Sequence, residues 1–381
     1  MKLDRKTKMI FSVGGGKGGV GKSIFSIALG VALAKSGRKV ALIDLDLGAA
    51  NLHTYLGILG KTPSIADFIL AKASSLEDIL VETSQKNLRL ISGSAFVPGM
   101  ANPAHWMKLK MVRHVKSLPV DFIVIDLGAG IHFSILDFFE ISDRGVVITV
   151  PEPGAVMNAY GFIKAALFRK LQNIFRNHPE IGPVIDSEAK KACGEDSFTL
   201  EWFSEKVEKL APDMFPLIEE IEKAFRPSLV INRVPEGQAH ILVKNLISLC
   251  TEKLGIIIEH VGNLPDVKEI AYYLLNIPKF FNTSEGKPFF ASVQRIVDRL
   301  AKTAEKGYQE IETTADFEDE EIEEIIRLIE ILDDSIFRGT NRNIWKLKMY
   351  FKPLEVVNFL VRRGVSHMIL HRLVKQNIIT Q

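Results

Sequence analysis

Three observations predict an α/β fold with a mostly parallel, twisted sheet and helices on both faces. A glycine-rich loop ending in Lys-Ser lies between an apolar β-type run and a helix-forming run near the start of the chain. Two further apolar runs, Lys39 to Asp46 and Asp121 to Asp126, end in aspartate. β-type runs alternate with stretches of helical periodicity along most of the chain, as crossover-connected parallel strands require.

At 381 residues the chain exceeds one typical domain and falls short of three. One large domain over 1–304 with an appendage over 305–381 is expected. Apolar content of 47% and charged content of 25% are those of a foldable globular protein, and the net charge of +2 discriminates little. Cys193 and Cys250 lie far apart with no Cys-x-x-Cys, so buried, reduced thiols are expected rather than a disulfide framework or a cysteine metal site. The first residues lack an apolar signal core, and no segment approaches the roughly 18 apolar residues of a spanning helix. A reducing cytoplasm is the expected compartment.

In order along the chain, Met9 to Val13 reads as a buried strand and Ile24 to Ala34 as a helix. Between them Gly16, Lys17, Gly18, Gly19, Val20, Gly21, Lys22 and Ser23 complete Gly-x-x-x-x-Gly-Lys-Ser in the strand–loop–helix setting of a phosphate loop. Its glycines admit backbone N–H groups to phosphate oxygens at the positive end of the helix. Lys22 is placed to neutralise phosphate charge, and Ser23 to ligate Mg²⁺. Lys17 is a second cation in the same tight loop, with no structural reason to crowd the first.

The run ending in Asp44 and Asp46 puts two carboxylates where open parallel sheets bind ligands, one for the Mg²⁺ environment and one for an attacking water. Two short helices are expected from Pro63 and from Ser75, a strand over Asn87 to Gly93, and a helix from Pro103 to Ser117 with Lys108, Lys110, Arg113, His114 and Lys116. Those basics are a solvated face or a nucleic-acid contact. The run ending at Asp126 would hold Mg²⁺ through water, and Gly128 and Gly130 would let the following backbone move. Arg144 to Val150 is a further strand. Glu152, after it, would contact a ribose or cap the next helix. Residues 169–226 form a helical insertion in which Trp202, Phe203 and Phe215 would make a small core. A strand ends at Asn232 and Arg233, another runs from Gly255 to His260, and Pro265 and Asp266 follow in a loop.

The loop Lys17-Gly-Gly-Val-Gly-Lys-Ser23 resembles the deviant phosphate loop of the MinD/ParA family of P-loop NTPases. Asp44-Leu-Asp-Leu-Gly-Ala-Ala-Asn51 is similar to that family's first switch and closest to its FlhG- or FleN-like, flagellar-number branch. The resemblance covers roughly 9–300 apart from the insertion. It implies an ATP- and Mg²⁺-binding ATPase that forms an ATP-dependent homodimer, with Lys17 reaching the partner's phosphates. It further implies Asp46 at the hydrolytic water, metal contacts from Ser23, Asp44 and Asp126, and an adenine site at Asn232, Arg233, Pro265 and Asp266. Placement or number of a structure such as flagella, through a protein partner, is the implied output.

The tail leaves alternatives open. Glu310 to Asp334 is an acidic amphipathic stretch with Ile322, Ile325, Ile326 and Ile329 at helical spacing, whereas 338–381 is basic. Leu354 to Arg363, Gly364-Val-Ser and His367 to Gln376 resemble a helix-turn-helix. DNA binding by an ATP-gated regulator or partition protein, docking of a protein partner, and peripheral membrane contact all remain as readings.

Overall fold

The computed structural model describes residues 8–46, 50–93, 105–175, 178–191, 199–235 and 239–309. β1 (Met9–Gly14) leads through the glycine-rich loop into α1 (Lys22–Lys35), then β2 (Val40–Leu45), α2 (Leu52–Tyr55) and α3 (Ile65–Ile69). β3 (Val81–Glu82), β4 (Leu88–Ile91), α4 (His105–Ser117), β5 (Phe122–Leu127), α5 (Phe133–Glu140) and β6 (Arg144–Thr149) follow. Then come α6 (Pro153–Phe175), α7 (Ile181–Lys191), α8 (Leu200–Leu210) and α9 (Phe215–Ala224). β7 (Ser228–Val234), α10 (Ala239–Leu254), β8 (Glu259–Pro265), α11 (Ile277–Phe280) and α12 (Gly286–Gln309) complete the described chain.

Among the described residues the strands form one eight-stranded sheet in the order β3-β4-β2-β5-β1-β6-β7-β8. Every pairing is parallel except β3 with β4. β1 lies at the centre because both of its faces are covered. Phe11 and Val13 point into a core with Phe25 and Leu29 of α1 and Val293 and Ile296 of α12. Ser12, on the opposite face, donates its hydroxyl to the Phe138 carbonyl of α5 at 2.8 Å. This two-sided burial is why the strands read as continuous apolar runs.

Two compact units divide the chain. One is Met1–Arg169 with Thr199–Glu201 and Leu217–Gly307; the other is drawn from Lys170–Phe198, Trp202–Pro216 and Tyr308–Gln381. Within the second, Phe175 and Phe203 are fully buried and meet edge-on with ring centroids 5.6 Å apart, and Trp202 and Phe215 are half-buried. Cys250 of α10 is buried, whereas Cys193 lies outside the described residues, as does the tail 310–381.

Two expected elements come out differently. From Ser75 only one 3₁₀ turn, Glu77–Ile79, forms before the antiparallel strand β3. Asp78 Oδ2 accepts the N–H groups of Ser74 and Ser75, and Asp78 N–H donates to Ser75 Oγ, so side chains take the bonds a helix would need. The last strand begins at Glu259 rather than Gly255 and includes Gly262 to Pro265. Its start is fixed by the neighbour: Glu259 pairs with Ser228, the first residue of β7, and donates its N–H to Pro227 O at 3.1 Å.

Candidate functional site

The carboxyl ends of β1, β2 and β5 converge because these strands are adjacent in the sheet, and their parallel register sets Asp44 beside Asp126. The loop after β1 folds over this edge. Gly21 takes φ +98°, and a Cβ there would also collide with the Asn232 amide, so glycine is required on both counts. Asn232, 6% exposed, donates from Nδ2 to Val20 O at 2.8 Å, tying the end of β7 to the loop. Arg233 adopts φ +53° at the irregularity between β7 and β8 and is exposed. Val234 pairs with Pro265, which brings Asn232 and Arg233 to the same end of the sheet as Pro265 and Asp266.

Lys22 is 7% exposed and extends back under the loop, with Nζ 3.4 Å from Lys17 O. Desolvation lowers its pKa, opposed by the charges of Asp126 and Asp46. Asp126 is 1% exposed and accepts hydrogen bonds from the Ser23 and Ser26 hydroxyls, the latter at 2.8 Å. Burial nevertheless pushes Asp126 up to about 6, with Ser23, Ser26 and Lys22 acting in the opposite direction. Asp44 is 1% exposed and is pushed up to about 7, first by burial and then by the Asp126 charge. Its Oδ1 accepts Asp46 N–H and its Oδ2 accepts Leu52 N–H, each at 3.1 Å. The Asp46 carboxylate is half-buried and lies against Gly128, the first glycine after β5.

Lys17 points away from this cluster. Its Nζ pairs with Glu152 Oε2 at 3.2 Å, and both side chains are about half exposed, at 46% and 60%. Glu152 stands just before α6, where its carbonyl accepts Val156 N–H at 3.0 Å as a helix cap does, while its side chain contacts the loop lysine. Ser26 was not singled out from the sequence. Its signal was a lone hydroxyl in the apolar run Ile24 to Leu29, three residues after Ser23 and so on the same helix face. The α4 basics are partly spent on packing: Lys110 Nζ lies 4.7 Å from the Phe68 ring centroid, and the His114 ring meets Phe68 edge-on at 4.7 Å.

The donors suit a hard cation beside a polyphosphate. A hydroxyl and a carboxylate already touching one another, next to a buried lysine and a glycine loop, supply oxygen ligands for Mg²⁺ and N–H donors for phosphate. Among the described residues no group of three or more His, Cys, Asp or Glu forms a protein-only metal cluster. No helix among the described residues is long and apolar enough to cross a membrane.

A family described as "ParA: NUBPL iron-transfer P-loop NTPase" matches residues 6–177. The antiactivator FleN of Pseudomonas aeruginosa is 31% identical over 157 residues, covering 41% of this chain and 55% of that protein. The flagellum site-determining protein YlxH of Helicobacter pylori is 36% identical over 169 residues, covering 42% of this chain and 53% of that protein. The chain thus spans about half the length of these curated relatives. The septum site-determining protein MinD of Pyrococcus horikoshii, solved with Mg-ADP, matches with a TM-score of 0.52 at 19% identity. That match covers 79% of this chain and 99% of the other, a likeness of fold. With its phosphate loop and strand order alongside these likenesses, residues 6–177 of the chain belong to the ParA/MinD family of P-loop NTPases.

Proposed function

We propose that the chain is a Mg²⁺-dependent ATPase whose ATP-bound form dimerises, and that it regulates the placement or number of a cellular structure such as a flagellum. The observation that carries this reading is the division of labour between two lysines of one loop. Lys22 is buried against Asp126 and Asp46, whereas Lys17 stands at the surface on Glu152. A lysine serving phosphates of its own subunit belongs inside the cluster. One that serves a second subunit must face outward.

In this reading the loop N–H groups and Lys22 bind the β- and γ-phosphates. Ser23 and Asp126 hold Mg²⁺, which when bound screens the phosphate charge. Asp46 orients the attacking water, Asn232, Arg233, Pro265 and Asp266 face the adenine, and Lys17 leaves Glu152 for the partner's phosphates. The flagellar output rests on the likeness to YlxH, whose name carries that role.

Light scattering of the purified chain with Mg-ATP, Mg-ADP and no nucleotide tests the switch. With Asp46→Ala slowing turnover, a dimer is expected in ATP alone. Lys17→Ala is expected to bind ATP with affinity close to the parent yet remain monomeric, and Lys22→Ala to lose most of its ATP affinity. A monomer in every condition for the Asp46→Ala chain, or an ATP-dependent dimer of Lys17→Ala equal to the parent's, sinks the reading.

A further inference from the structure

We infer that Asp44 is a positioning residue: its two carboxylate oxygens close the loop that carries Asp46, and it does not serve as a ligand of the metal. The inference rests on the proposed hydrolysis and deepens it.

Asp44 and Asp126 sit side by side on adjacent strands, both 1% exposed, yet they face different partners. Asp126 takes the hydroxyls of Ser23 and Ser26, which belong to the phosphate loop and the helix it opens. Asp44 takes only backbone N–H groups, and these mark the two ends of one loop. Asp46 N–H is at its entry, and Leu52 N–H, the first residue of α2, is at its exit, each at 3.1 Å. A carboxylate bonded in this way fixes the separation and relative orientation of the two ends. Asp46, one residue past β2, has no strand pairing of its own to hold it.

The walls of the loop carry the same constraint. Gly93, after β4, packs so tightly that an added Cβ would lie 2.7 Å from Ala50 Cβ and 3.1 Å from Asp44 O. On the other side, Asp46 Oδ1 would lie 3.2 Å from a Cβ on Gly128. The Asp46 carboxylate thus has a defined seat between the β2 and β5 ends, with Asp44 as its anchor. Mg²⁺ requires near-ideal octahedral geometry and takes one or two carboxylates. Asp126 with Ser23 provides that side of the site, while both Asp44 oxygens are directed at amides of Asp44's own loop rather than at a hydroxyl of the phosphate loop or the helix after it.

The test is Asp44→Asn in the full chain, which keeps the shape and one acceptor oxygen and turns an NH₂ toward the second N–H. In the nucleotide-free protein, amide hydrogen exchange at Asp46 and Leu52 is expected to rise at least tenfold, while exchange in the β5 core stays at the parent rate. With nucleotide, kcat is expected to fall about 10- to 100-fold, the scale of a misplaced catalytic group. The ATP Kd and the Mg²⁺ concentration giving half-maximal ATP binding should stay within about twofold, since the binding groups are untouched. Asp126→Asn is the contrasting variant and should raise that Mg²⁺ concentration. A tenfold rise in the Mg²⁺ requirement of Asp44→Asn with amide exchange unchanged would make Asp44 a ligand and overturn the inference, as would parental kcat. If the parent chain hydrolyses no ATP, the proposed function fails with the catalytic half of this inference. The exchange rates then decide the loop clamp alone.

Discussion

At the residue scale the decisive feature is two buried carboxylates held within one charge cluster. Asp44 and Asp126 titrate near 7 and 6 in the folded chain against an ordinary value of 3.8, chiefly through desolvation. A carboxyl whose folded pKa is raised binds protons that the unfolded chain has already released. Between pH 4 and 7 the folded state therefore carries the excess of protons, and its stability falls as pH rises through this window. The nucleotide-free protein is expected to melt at a higher temperature at pH 5.5 than at pH 8. Asp126→Asn should flatten that profile, which differential scanning calorimetry across pH would read. A parental profile in Asp126→Asn would contradict this origin. Asp126 was legible as the acid that ends a buried strand because an apolar run ending in acid is a local pattern. The Ser26 bond to it was not, because the two residues are a hundred positions apart.

At the element scale, α5 and α6 approach the sheet closely where it carries glycine. Phe139 of α5 and Phe162 of α6 stack edge-on, with centroids 5.0 Å apart and planes at 87°. They rest on β6 and β1 at Gly145 and Gly14, where an added Cβ would overlap the Phe139 and Phe162 rings respectively. Both rings are buried. Gly145→Ala should therefore cost about 1–3 kcal/mol in urea unfolding, the usual penalty of overpacking. Pairing it with Phe139→Leu should recover part of that loss, so the two changes should be non-additive. Additive losses would show that the ring and the glycine do not share the strain. The strands β1, β2, β4, β5, β6 and β7 and the helix α1 were readable from the apolar runs and their periodicity. The turn at Glu77–Ile79 was not, because Asp78 satisfies the backbone locally and the residues carry no helix-breaking signal.

At the scale of the whole molecule, the described core around the phosphate loop runs as far as Ala301 in α12. Removing residues 310–381 should leave ATP affinity, turnover and ATP-dependent dimerisation close to those of the full chain. Any salt-sensitive retention on duplex DNA, or on vesicles containing anionic lipid, should vanish with the deletion, since the basic run of 338–381 goes with it. Co-sedimentation of the two chains with each surface distinguishes the outcomes. Undiminished retention by the shortened protein would move the contact into the sheet domain.

The sequence alone determined the phosphate loop, the parallel α/β class and the positions of Asp44, Asp46 and Asp126, because these depend on local patterns: glycine spacing, apolar runs and the residues that end them. Only the tertiary structure decided which of those residues touch. Asp44 lies with the backbone of its own loop, Asp126 with Ser23 and Ser26, Lys17 with Glu152, and Asn232 with Val20. The last three of these pairings depend on strand order and register, which bring distant positions to one edge of the sheet and which no local pattern encodes.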